Sequence, residues 1–84
     1  MKARKVYEKI LAGSRNLRFE DVCRLAEGFG FCRDRISGSH HIFAHPRVPE
    51  LVNIQDRKGK VKPYQVRQVL ELVEQHNLEF GGNG

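Results

Sequence analysis

Residues 31–55 read FCRDRISGSHHIFAHPRVPELVNIQ, and the reading of this stretch decides the fold. The three-and-four spacing of apolar residues found on both sides of it is lost here. β-Branched and aromatic residues take over, punctuated by Ser37-Gly38, Pro46 and Pro49. Three short strands are expected, over about 31–36, 40–45 and 51–55. Ser37-Gly38-Ser39 makes a tight connection between the first two, and Pro46-Arg47-Val48-Pro49 a slightly longer one between the second and third. Connections this short join neighbours that run antiparallel, so the strands form a meander. The pattern leaves open which side of 40–45 turns inward, because His40 with Ile42 and His41 with Phe43 are both credible inner pairs.

Helical periodicity lies outward in both directions. Over about 3–12, Val6, Tyr7, Ile10 and Leu11 form one stripe, and Gly13 follows where a left-handed cap ends a helix. From about residue 19, Val22, Leu25, Ala26 and Phe29 repeat at three and four. Glu20 and Asp21 sit favourably at the helix start, and Gly28 and Gly30 close it. Beyond the strands, Asp56-Arg57-Lys58-Gly59-Lys60 is a polar loop, and Pro63 suits the first turn of a helix over about 63–76 whose stripe is Val66, Val69, Leu70 and Val73. Asn77 is a plausible left-handed cap, and residues 79–84, ending Gly81-Gly82-Asn83-Gly84, are expected to fray. The fold class is therefore α+β in the order α-α-β-β-β-α, one domain over residues 1–84. A three-stranded antiparallel sheet packs helices on one face, because so small a sheet must bury a face on something. The other face and its loops stay free to work.

At 84 residues with 39% apolar and 30% charged side chains, the chain has the balance of a globular domain. It shows no tract apolar and long enough to span a bilayer or act as a signal peptide, so a cytoplasmic location and no membrane partner are expected. In that setting Cys23 and Cys32 read as buried thiols rather than a disulfide framework. The net charge of +5 is unevenly spread. Lys2, Arg4, Lys5, Lys9, Arg15 and Arg18 face only Glu8 in the first 18 residues, residues 31–62 are again basic, and the last helix carries Glu71 and Glu74. A basic amino end and middle suit a polyanion such as nucleic acid.

His40, His41 and His45 crowd into six positions. On a strand His41 and His45 share a face but stand roughly 13 Å apart at about 3.3 Å per residue, and His40 points the other way. One zinc ion cannot take them all, and there is no CxxC pair, so no metal is expected. Ser39 lacks the elbow motif of a nucleophilic serine, and no strand feeds a glycine-rich turn into a helix, so nucleotide-dependent chemistry and a small-molecule cofactor are unsupported. General acid–base work by a histidine in basic surroundings remains. RNA carries its own nucleophile in the 2′-hydroxyl, so a base near neutrality and cations around the phosphate suffice. His40, just after Ser37-Gly38-Ser39 at a strand edge, is the candidate base, with Arg33, Arg35, Lys58, Lys60 and Lys62 as phosphate holders.

Gly38-Ser39-His40-His41-Ile42-Phe43-Ala44-His45-Pro46 lies between a helix ending Gly28-Phe29-Gly30-Phe31 and the helix that opens Lys62-Pro63-Tyr64-Gln65-Val66-Arg67. This arrangement, over roughly residues 19–78, resembles the HicA family of toxin–antitoxin ribonucleases. The resemblance implies a fold similar to double-stranded-RNA-binding domains and cleavage of mRNA. It also implies a HicB-type antitoxin partner and a catalytic role for the first histidine after the Gly-Ser pair. That role falls on His40, with Gly38 and Ser39 beside it at the RNA, and the adjacent His41 is the fallback. Many members carry a Val-Pro-Arg-His-like stretch on the third strand. This chain reads Val52-Asn53-Ile54-Gln55-Asp56-Arg57 there, which leaves the second catalytic group open, as is the role of the helix over 3–12. Two other readings are a non-catalytic RNA-binding domain and a module that recruits a protein along a free strand edge.

Overall fold

The computed structural model describes residues 3–81. Along the chain run α1 (Ala3–Leu11), α2 (Phe19–Gly28), β1 (Cys32–Ser37), β2 (His40–His45), β3 (Val48–Gln55) and α3 (Pro63–Gln75), the expected order of elements. The sheet is antiparallel with β2 in the centre. Successive side chains on a strand face opposite ways. Phe43 pairs with Val52 and His41 with Ile54, and Phe43, Val52 and Ile54 are fully buried, so this is the inner side. His40 pairs with Gln55 and Ile42 with Asn53 on the other side, which no helix covers. The inner pair left open by the sequence is thus His41 with Phe43.

α2 and α3 pack on β3, and α1 packs on α2. Val22, Leu25, Ala26, Val66 and Val69 from α2 and α3 meet Phe43, Val52 and Ile54 in one cluster. Each of the larger side chains among them contributes about 1.5–3 kcal/mol when fully buried, which is what holds so small a sheet against its helices. β1 lies outside this cover and is exposed along its length. As an edge it carries Arg33, Asp34 and Arg35 and a bulge between Arg33 and Arg35, features that discourage pairing with another edge.

The β1–β2 turn is two residues long. Gly38 takes φ 59 and Ser39 does not follow it into positive φ, the pattern of a type II′ hairpin turn. The third strand departs from expectation. It begins at Val48 rather than near 51, so the connection is Pro46-Arg47 alone. Val48 pairs with His45 and is 6% exposed, which draws the strand back to the turn. Pro49 is tolerated because β3 is a sheet edge.

All three helices stop in the same way. Gly13, Gly30 and Asn77 have φ of 94, 97 and 51. Each donates its N–H three residues back, to the carbonyls of Ile10, Glu27 and Glu74, and the following residue donates five back, to Lys9, Ala26 and Val73. This is the Schellman motif, satisfying carbonyls that the helix itself leaves bare. The tail also departs from expectation over 79–81. Phe80 stacks on Tyr7 with centroids 6.1 Å apart and meets Phe29 edge-on at 4.9 Å, while the Gly81 N–H donates to the Gly28 carbonyl. An aromatic ring beside a glycine run was enough to dock it. Residues 82–84 of the expected frayed tail lie outside the described residues.

Candidate active site

His40 is the first residue of β2, half-buried on the sheet side that carries no helix. Its Nδ1 stands 3.1 Å from Asn53 Oδ1. A carbonyl oxygen only accepts, so Nδ1 carries the hydrogen and donates it, and Nε2 keeps its lone pair. The surroundings are tied down at several points. Gln55 Nε2 donates to Ser39 Oγ at 3.4 Å, and the Asp56 N–H to the Ser39 carbonyl at 2.8 Å. The Gln55 N–H donates to Oε1 of the buried Gln65 at 2.8 Å, fixing the end of β3 to the first turn of α3. Arg35, opposite Ile42 on β1, brings a cation to the same face.

His41 lies on the other side of the sheet. Its ring is 4.6 Å from that of Phe19, and its Nδ1 is buried without a hydrogen-bond partner among the described residues. Burial pushes its pKa below the usual imidazole value, the Arg33 charge adds to this, and Asp56 opposes it. Arg33 also turns inward. Its guanidinium lies 5.2 Å from the centre of the Phe43 ring and interacts with the Cys23 thiol. Burial raises the Cys23 pKa, the Arg33 contact offsetting it in part, so this thiol is a poor nucleophile. The two cysteines are both free, as expected, but Cys32 is exposed, because β1 overhangs the helical layer.

The sequence candidates therefore divide. Ser39, His40 and Arg35 share the open face, with Gly38 in the turn beside them. Lys58 and Lys60 sit in the loop that leaves β3 just past Gln55, the partner of His40. Lys58 is exposed with φ 52, while Lys60 Nζ donates to Asn16 Oδ1 at 2.6 Å. Lys62 is exposed immediately before α3. Arg33 is placed across the sheet from His40, and Lys60 is turned to the α1–α2 connection. Asn53 and Gln55 escaped the sequence reading. Their polar alternation with Val52 and Ile54 marked a solvent-facing side, but only the register reveals that His40 stands on it. His45 is structural: its Nδ1 accepts the Arg47 N–H at 3.0 Å and its ring packs edge-on to Phe31. Nε2 of His76 is 3.5 Å from a Glu50 carboxylate oxygen, far from the candidate base at the other end of β3. Among the described residues no group of three His, Cys, Asp or Glu side chains is placed to hold a metal ion. No helix among them is long and apolar enough to cross a membrane.

No curated protein matches the chain. The family model described as HicA toxin of bacterial toxin-antitoxin matches residues 19–75, from the first residue of α2 to the last of α3, with the whole sheet between. On that match, spanning well over half of its length, the chain belongs to the HicA toxin family of bacterial toxin–antitoxin systems, and so to a class of toxins that work opposite an antitoxin.

Proposed function

We propose that this toxin is an endoribonuclease that cleaves mRNA in the cytoplasm without a metal ion, using His40 as general base. The observation that carries this reading is the His40 imidazole on the uncovered sheet face, its Nδ1 held by Asn53 and its Nε2 without a hydrogen-bond partner among the described residues. Nε2 takes the proton of a ribose 2′-hydroxyl. The 2′-oxygen then attacks the adjacent phosphorus, the bond from phosphorus to the 5′-oxygen breaks, and that oxygen takes up a proton from water. The products are a 2′,3′-cyclic phosphate and a 5′-hydroxyl end. Arg35 on the same face, and Lys58, Lys60 and Lys62 at the end of the sheet where His40 sits, are the cations that stabilise the charged phosphorane. His41, the alternative base, faces Phe19 rather than this surface. An antitoxin of the HicB type docking on the open face would exclude RNA by occupying the same basic ground.

The test uses a long RNA with wild type and His40→Ala, each with and without EDTA. Wild-type cutting is expected to persist in EDTA, and His40→Ala to lose about 10²-fold or more, the usual contribution of a positioned general base. EDTA-sensitive cutting would return the chemistry to a metal. RNA that is bound but left whole by wild type would make the domain a binding module of the same fold.

A further inference from the structure

The geometry points to Asn53 as the positioning residue of His40, its Oδ1 keeping the imidazole hydrogen on Nδ1 so that Nε2 presents a lone pair to the open face. The inference rests on the reading of His40 as general base and adds the group that makes its ring competent. In water a neutral histidine ring favours the hydrogen on Nε2, the opposite arrangement. An acceptor fixed at Nδ1 reverses that preference, because the tautomer follows the hydrogen bond that the other nitrogen makes.

Asn53 is well built for this. It is opposite Ile42, two residues from Gln55, the pairing partner of His40, so it approaches His40 along the diagonal of one sheet face. Both residues stand on strands rather than loops, and the strand carrying Asn53 is pinned just beyond it. The Gln55 N–H is bound by buried Gln65, and the Asp56 N–H by the Ser39 carbonyl. A slip of β3 by one residue would carry Asn53 to the other face, so the same bonds that fix the register fix the tautomer. Asn53 thus stands on the strand where the family resemblance left the second group open.

The experiment reads the ring directly. Protein labelled with 15N is prepared as wild type, His40→Ala, Asn53→Leu, Asn53→Ala and Asn53→Asp, and two-bond 1H–15N correlations of the imidazoles are recorded at a pH where the rings are neutral. His40→Ala identifies the resonance. Wild type and Asn53→Asp, which keeps an acceptor, are expected to carry the His40 hydrogen on Nδ1, and the Leu and Ala variants to carry it largely on Nε2. In RNA cleavage at the same pH, the Leu variant should lose about tenfold or more in kcat with KM little changed, within the roughly 10²–10⁴-fold that general base catalysis contributes, and Asp should restore most of it. A wild-type ring with its hydrogen on Nε2 overturns the inference, and so do Leu and Ala variants whose rings keep it on Nδ1. The tautomer is read without RNA, so it is decided separately from His40 as base, which stands or falls on cleavage by His40→Ala.

Discussion

The His41 ring is held against Phe19 with a buried nitrogen and the Arg33 charge nearby, so protonating it works against the fold. Its pKa is depressed in the folded state relative to an ordinary value of 6.5. The unfolded chain therefore takes up this proton first as pH falls, and the stability present above that value is lost on acidification towards the folded value. The melting temperature of wild type should fall between pH 7.5 and pH 5.5, and His41→Leu should fall less steeply over the same range. Equal slopes in the two proteins would assign the acid sensitivity to other groups. His40 and His41 are neighbours of identical chemistry, and the sequence ranked them only by nearness to the Ser37-Gly38-Ser39 turn and by resemblance. A strand places them on opposite sides, and the burial of Phe43 decides which side each takes. The Asn53 amide could not be found in this way. It lies thirteen residues from His40 in the chain, and the hydrogen bond between them exists only once β2 and β3 have settled into register.

At the scale of elements, most of the fold was legible because local chemistry and global packing agree. The apolar stripes of the helices face the core except for Leu11 at the end of α1, which is exposed, and Gly13 and Asn77 end their helices as the expected left-handed caps, with Gly30 closing α2. What was misread is the start of β3, since Pro49 reads as a breaker and only pairing across the sheet shows Val48 already inside the strand. The caps also differ in a way that φ alone does not reveal. A Cβ on Gly13 would meet nothing within 4 Å, whereas one on Gly30 would lie 2.8 Å from His45 Nε2, on a ring whose other nitrogen already holds the Arg47 N–H. Gly13→Ala should lower stability by about 1–2 kcal/mol, the strain of a left-handed conformation in a residue with a side chain. Gly30→Ala should lose about 1 kcal/mol more, because it must also displace His45 from Phe31 and the β2–β3 turn. Urea unfolding of the two variants checks this. Equal midpoints would mean that the His45 ring yields without loss.

For the molecule as a whole, the family match ends at residue 75 and begins at residue 19, so α1 and the tail are additions to a unit that already contains the sheet. Beside Val6 in the core, three rings join them to it. Tyr7 meets Phe29 edge-on at 5.4 Å, Phe80 meets both, and the Arg4 guanidinium lies 5.3 Å from the centre of the Phe80 ring. Tyr7 belongs to α1, Phe29 caps α2 and Phe80 follows α3, so the cluster ties three separate parts of the chain. It lies in the helical layer, whereas His40 faces the uncovered side of the sheet. A brace in that position adds stability without touching the chemistry. Phe80→Ala should therefore lower unfolding stability by about 2 kcal/mol, from lost apolar burial and two aromatic pairs. Amide hydrogen exchange in α1 should quicken more than that in β2, because the helix loses its clamp while the sheet keeps its core. At 25 °C, where the variant is still folded, RNA cleavage should stay within about twofold of wild type. A larger loss of kcat with the fold intact would mean that α1 reaches the reaction, and the amino-terminal helix would then be part of the toxin's working surface.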